Sequence, residues 1–317
     1  MKNLLQKLTR FRDIIIPFAS WEMLIMRFLC SLLFFDALPD GVEFSTMPYP
    51  NGIGKWVDVT FLAAPGVWDT LKWLTIPFLI LYTLGRFSLP ALAYLTLLLV
   101  AYGTLRNSQG AIGHNTQLVA LVLLAQWGMC LWESIRGARK GRWSWTDDLS
   151  RQRMMIHAAR VMIAATYLTT AISKIDRSNG HWLWDTPNLS VQIIKTQSND
   201  YYNDLEHVSP VLMDTLPNAM ADHPWITRIL FSPGLLLELF FFLALVGRGW
   251  SLGLGLAMIV LHQLIARLMS LEFPNHEILL WIFFVNVPFW LYLIGSRIAR
   301  LGRPTPPTTE QPSVAGV

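Results

Sequence analysis

Long, mostly apolar blocks separated by short clusters of glycine, proline and charge constrain this chain most: segments 21–38, 70–86, 89–105, 115–135, 154–175, 226–247, 250–271 and 276–296. A helix needs about 20 such residues to cross a hydrocarbon layer about 30 Å thick, where no backbone N–H or C=O can be left without a partner. The spacing predicts about eight transmembrane helices in an all-α, polytopic membrane bundle over residues 21–296. Composition agrees: only 15% of the 317 residues are charged, against about 25% in a soluble chain.

Loop charges orient the spans. Lys2, Lys7, Arg10 and Arg12 precede the first block, and Arg136, Arg139, Lys140, Arg142, Arg151 and Arg153 lie between the fourth and fifth. With Arg86, Arg248, Arg297, Arg300 and Arg303 they fall on one side of an eight-span chain, which the positive-inside rule makes cytoplasmic, both termini included. The opposite loops, 39–69 and 176–225, are acidic and rich in aromatic residues, and are expected to fold as structured segments over the outer mouth of the bundle. The net charge of +4 is therefore topological, and no nucleic-acid partner follows from it.

Residues 1–20 carry Leu4, Leu5, Leu8, Phe11 and Ile15 at helical spacing behind basic residues, which predicts an interfacial amphipathic helix and not a cleaved signal peptide. Residues 297–317 read as a basic and then proline-rich cytoplasmic tail. Cys30 and Cys130 lie inside apolar blocks, so they are packing residues and provide no disulfide framework. The seven histidines show no HxxxH or HExxH spacing, and no metal site is predicted. Phosphate-loop and acyl-transfer signatures are missing too, and the absence of internal repeats argues against a transporter.

An ionisable residue inside a span costs at least ~2.5 kcal/mol on insertion scales, so each needs an explanation. Arg27 and Arg267 lie near span ends and are expected to snorkel to the headgroups. Arg160 and Glu22 are explained by internal salt bridges. Glu238 lies near mid-depth and must face the bundle interior, with His262 in the next span as its natural partner. Lys174 closes the fifth span, and Tyr167, Thr170 and Lys174 share one helical face. The lysine is either an interfacial anchor paired with Asp176 or a partly desolvated general base. His114 opens the fourth span at similar depth with Asn115 and Thr116, either as part of a helix cap or as a hydrogen-bond donor to a developing oxyanion.

Three patches resemble the HTTM (horizontally transferred transmembrane) domain family, whose relatives include the vitamin K-dependent gamma-carboxylases. They are Gly113-His114-Asn115 opening a span, Ala171-Ile-Ser-Lys174-Ile-Asp176 followed by Trp182, and Gly234-Leu-Leu-Leu-Glu238 continuing to His262 and Phe273. The resemblance implies that Lys174 is the base that deprotonates a vitamin K-like quinol and that His114 assists it. Glu238, His262, Asn115, Tyr167, Thr170 and Trp182 are then the candidate quinol-binding residues. It also implies oxygen- or base-dependent chemistry on a secreted peptide at the outer face of the bacterial cytoplasmic (inner) membrane. Two departures from the carboxylases point away from gamma-glutamyl carboxylation itself. The chain ends soon after the eighth span, without the carboxylases' large lumenal region, and the stretch from Asp176 to Trp182 is long. The competing expectation is a non-enzymatic membrane factor for maturation, export or immunity of a secreted peptide or partner protein.

Overall fold

The computed structural model describes residues 16–42, 52–108, 114–141, 143–203, 205 and 208–301. The predicted N-terminal amphipathic helix (residues 1–15 of it), residues 43–51 of the first loop and most of the C-terminal tail lie outside these. The described residues are almost entirely helical, with no strand and one isolated bridge, Arg86 to Thr146. In chain order the main helices are α1 (Ser20–Asp36), α2 (Val67–Leu84), α3 (Ser88–Ser108), α4 (His114–Ala138) and α5 (Leu149–Arg177). After short α6 (Trp182–Asp185), α7 (Leu189–Asn203) and α8 (Leu216–Asp222) come α9 (Pro224–Phe240), α10 (Arg248–Met269), α11 (Pro274–Leu280) and α12 (Val287–Leu301). A 3₁₀ segment, Phe241–Leu245, extends α9, and a π segment, Trp281–Val285, joins α11 to α12.

Among the described residues six helices are long and apolar enough to cross a membrane: Ser88–Ser108, Thr116–Ala138, Leu149–Arg177, Pro224–Leu245, Arg248–Met269 and Pro274–Ala299. They coincide in chain position with the last six predicted spans. The first two predicted spans are helices but fall outside this group: α1 has 17 residues, a rise of only about 26 Å, and α2 carries Asp69 and Lys72 in its first two turns.

Helix α5 is the spine. It packs on α1, α4, α9, the 3₁₀ segment and the π segment, while α10 packs on both irregular segments. Gly255 makes the second of these contacts possible, since a Cβ there would lie 3.0 Å from Phe284 Cβ. The neighbouring Ser251 donates to the Phe284 carbonyl at 2.8 Å.

At the end where α5 begins, the charges are buried in a network. Arg27 is 3% exposed and does not snorkel as expected. Its guanidinium donates to Gln152 Oε1 at 2.9 Å and the Tyr82 carbonyl at 3.4 Å, and lies 3.9 Å from Asp147. Asp147 also accepts from Ser88 and from Arg151. Burial pushes the Asp147 carboxyl up, against the pull of Ser88, Arg151 and Arg27. The α2–α3 turn fits around this cluster: Gly85 has φ +66°, and a Cβ there would meet an Arg27 nitrogen at 2.7 Å. Glu22 meets Arg248 at 3.0 Å, the internal salt bridge expected for it. Arg160, by contrast, has no carboxylate partner among the described residues. It donates to the Ala244 carbonyl and Ser251 Oγ at 2.7 and 3.1 Å, and stacks between Phe18 and Phe284. Arg267 is exposed, as snorkelling requires.

Lys72 has its ammonium tied to the Leu38 and Pro39 carbonyls and to Asp40 at 2.7 Å. The hydrogen bond and charge of Lys72 hold the Asp40 carboxyl below the usual carboxylate range. A depressed acid stabilises the fold above its unfolded pKa and loses that contribution as pH falls through its folded pKa. Thermal unfolding followed from pH 6 down to pH 3 should therefore show a small acid-side loss that Asp40→Asn removes. An identical acid limb in the variant would mean that the pair contributes nothing.

Candidate functional site

The C-terminal half of α5 places Tyr167, Thr170 and Lys174 on one stripe, because positions i, i+3 and i+7 fall on one helix face. Helix α9 lies against that stripe and contributes Glu238. The Lys174 ammonium donates to both oxygens of Glu238, each at 2.7 Å. Glu238 is nearly buried, with 8% of its side chain exposed, whereas Lys174 keeps 30%. Trp182, at the start of α6, covers the lysine with its ring 5.4 Å from Nζ. Glu238 thus finds its partner in Lys174, in the preceding span, and not in His262. Lys174 in turn is tied to Glu238 and not to the nearby Asp176.

His262 lies deeper, on α10, and is 6% exposed. Its Nε2 is 3.4 Å from the Tyr167 hydroxyl, and its ring packs against Phe273 and His276. The chain turns sharply after α10, with Ser270 at φ +48°, and restarts at Pro274. That reversal brings Phe273 and His276 back over His262. His262 Nδ1 is buried without a hydrogen-bond partner among the described residues, which is uncommon enough to require an explanation.

Between α5, α9 and α10 lies a cavity of about 360 Å³, within the range of small-ligand sites. Its walls are mostly Leu, Ile, Phe and Met side chains. Its polar groups gather in two places, the Lys174–Glu238 pair and the Tyr167–His262–His276 cluster. Leu230, Leu264 and Leu271 line it and are also exposed on the surface of the bundle, so the cavity reaches the apolar exterior.

Six sequence-predicted site residues therefore meet in one place: Lys174, Glu238, His262, Tyr167, Thr170 and Trp182 all line this cavity. His114 and Asn115 stand at the start of α4, which packs on α11, but their side chains lie outside the described residues. His276 had no assigned role in the sequence. Its signal was the Phe273-Pro274 break directly before it, which marks a helix start beside a candidate histidine. Among the described residues no group of three His, Cys, Asp or Glu side chains is placed to hold a metal ion. Comparison of the sequence with protein-family models and with curated proteins finds no match, and no solved structure matches the fold.

Proposed function

We propose that the chain is an eight-span membrane protein that holds a lipid-soluble quinol in the α5–α9–α10 cavity and removes a proton from it there. The observation that carries this is an ion pair set in the wall of a mostly apolar cavity that also contains a buried imidazole nitrogen with no partner among the described residues. An apolar ring bearing hydroxyl groups fits such a cavity, because one oxygen can meet the charged pair while another satisfies His262. The resemblance of the Lys174 and Glu238 segments to carboxylase-like HTTM proteins points the same way. Support for counting α1 and α2 as spans comes from their outward faces: Leu24, Phe28 and Leu32 on α1, and Trp73, Ile76 and Ile80 on α2, are exposed apolar residues suited to lipid. The loop charges put both termini in the cytoplasm and Lys174 at the outer end.

A bound quinol supplies a weakly acidic ring hydroxyl. In the ion pair the ammonium already carries its protons, so the site open to another proton is the Glu238 carboxylate. Glu238 takes the hydroxyl proton, and the Lys174 ammonium stays beside the developing anion and stabilises it where water is scarce. The lysine named as base by the family resemblance becomes the electrostatic partner of a carboxylate base. Tyr167 and His262 orient the ring from the other pole.

Mass spectrometry of lipids retained by the purified full chain tests the occupant. Isoprenoid quinone should be enriched over the surrounding membrane lipid, and His262→Leu should lower that retention by about tenfold, the equivalent of one lost buried hydrogen bond. Equal retention in the variant, or no enrichment in the wild type, would contradict the proposal. Exposed Trp184, Tyr201, Tyr202 and Trp225 on and beside α6–α9 favour a second reading, a non-enzymatic factor that engages a secreted peptide. The two part at Lys174→Met, which abolishes an enzyme and leaves a docking factor working.

A further inference from the structure

Lys174 borders two cavities. Besides the apolar one, a polar vestibule of about 630 Å³ lies against the last two turns of α5 and the start of α6. The two share Thr170, Lys174 and Trp182, whereas Thr169, Arg177, Ser178 and Asp185 belong to the vestibule. The ion pair therefore stands between an apolar cavity and an open polar groove at the surface.

The vestibule's hydrogen-bonding groups are polarised. An ammonium has three N–H donors, and Lys174 commits two to Glu238, leaving one. Arg177, one turn further along α5, also lines the vestibule, so the α5 wall offers donors and positive charge. Three of the four lining hydroxyls do the opposite. Thr169 donates to the Ala165 carbonyl at 2.8 Å, Thr170 to Thr166 at 2.9 Å and Ser178 to Lys174 at 2.8 Å. With their protons committed to their own helix, these oxygens present only lone pairs, and Asp185 adds a carboxylate. Among the described residues neither Arg177 nor Asp185 has an ion-pair partner. The vestibule thus offers an exposed cation and an exposed carboxylate, neither of them paired among the described residues, and three hydroxyl oxygens placed to accept, with the Ser173 hydroxyl beside them. A purely anionic ligand leaves the carboxylate and the lone pairs unmatched, and a purely cationic one leaves Arg177 unmatched.

We propose that this vestibule binds a zwitterion carrying a primary ammonium and an anionic group. The ammonium, which can donate, faces Asp185 and the hydroxyl oxygens, and the anion faces Arg177 and the spare N–H of Lys174. An ethanolamine phospholipid headgroup and a free amino acid share this chemistry. The vestibule's place at the Arg177 end of a membrane-length helix, beside Trp182, is headgroup level for a lipid. The proposal rests on the reading that the Lys174–Glu238 pair is the reacting centre only for its meaning. The vestibule itself is tested separately.

The full chain in nanodiscs containing equal parts ethanolamine, choline and glycerol phospholipids, read by native mass spectrometry, provides the test. Ethanolamine lipid should be retained at least about fivefold over the choline lipid, whose quaternary nitrogen cannot donate, and over the anionic lipid. Arg177→Gln and Asp185→Asn should each bring the three lipids to parity, and Arg177→Lys should keep the preference. Millimolar glycine or phosphoethanolamine that displaces the retained lipid identifies a water-borne ligand, whereas preference without displacement identifies the headgroup. Neither Arg177 nor Asp185 lines the inner cavity, so quinone retention should be unchanged in both variants. Loss of quinone retention through His262→Leu alone leaves the vestibule proposal standing. Equal retention of ethanolamine and choline lipids with no displacement by either soluble zwitterion would overturn it, as would a preference that survives both Arg177→Gln and Asp185→Asn.

Discussion

Lys174→Met is expected to destabilise the protein more than Glu238→Leu does, and the double variant less than the two together. Removing either partner of a fully buried ion pair costs about 3–5 kcal/mol, because a charge is left uncompensated. Here the partners differ in exposure, the lysine side chain at 30% and the glutamate at 8%. Without Lys174, the Glu238 carboxylate stays in an apolar wall and must protonate or recruit water, for a loss of about 3 kcal/mol. Without Glu238, the ammonium can turn into the polar vestibule it already borders, and solvent screening limits the loss to about 1–2 kcal/mol. Replacing both leaves an apolar wall, so the coupling should be about 1–2 kcal/mol in the double-mutant cycle. Thermal unfolding of the four proteins in one detergent measures it. Additive losses would mean that the pair does not form.

Arg160 is the second position with a large expected effect, and there size should matter more than charge. The side chain is wholly buried, yet two of its guanidinium nitrogens have no partner among the described residues. Against its desolvation stand two charged hydrogen bonds, about 1.5–3 kcal/mol each, and two aromatic faces worth about 2 kcal/mol each when desolvated. Those gains are comparable to the several kcal/mol that burying the ion costs. Arg160→Ala leaves a cavity where α5, α10 and the two irregular segments meet, and is expected to cost about 3–5 kcal/mol. Arg160→Met fills most of that volume and should cost less than about 1.5 kcal/mol. Equal losses in the two variants, by thermal unfolding, would show that Arg160 is needed as a cation.

The helices were legible in the sequence because the bilayer leaves so few solutions. Runs such as 154–175 and 250–271 must be helical if they cross hydrocarbon, and they are, the second as far as Met269. The Tyr167–Thr170–Lys174 stripe was legible for a local reason, the helical period. The partner of Glu238 was not. Which of Lys174 and His262 it meets depends on helix rotation and on how α9 sits against α5, and neither leaves a mark in composition. Arg27 was misread because snorkelling follows from depth alone, whereas its burial depends on Gln152 and Asp147, more than a hundred residues away. The π segment at Trp281–Val285 and the 3₁₀ segment at Phe241–Leu245 were hidden as well, since an apolar run reads alike in any helical form.

The proposed role of the Lys174–Glu238 pair is to take a proton from a hydroxyl on an apolar ring and to stabilise the anion left behind. Absorbance titration of a hydrophobic phenol, whose phenolate has its own band, tests this directly with the purified full chain. Bound to the wild-type protein, the phenol should ionise at least about one pH unit below its value in empty detergent micelles. Glu238→Gln and Lys174→Met should abolish the shift while the phenol still binds. A phenol that binds the wild type with its titration unmoved, or moved to higher pH as in a purely apolar cavity, would contradict the claim.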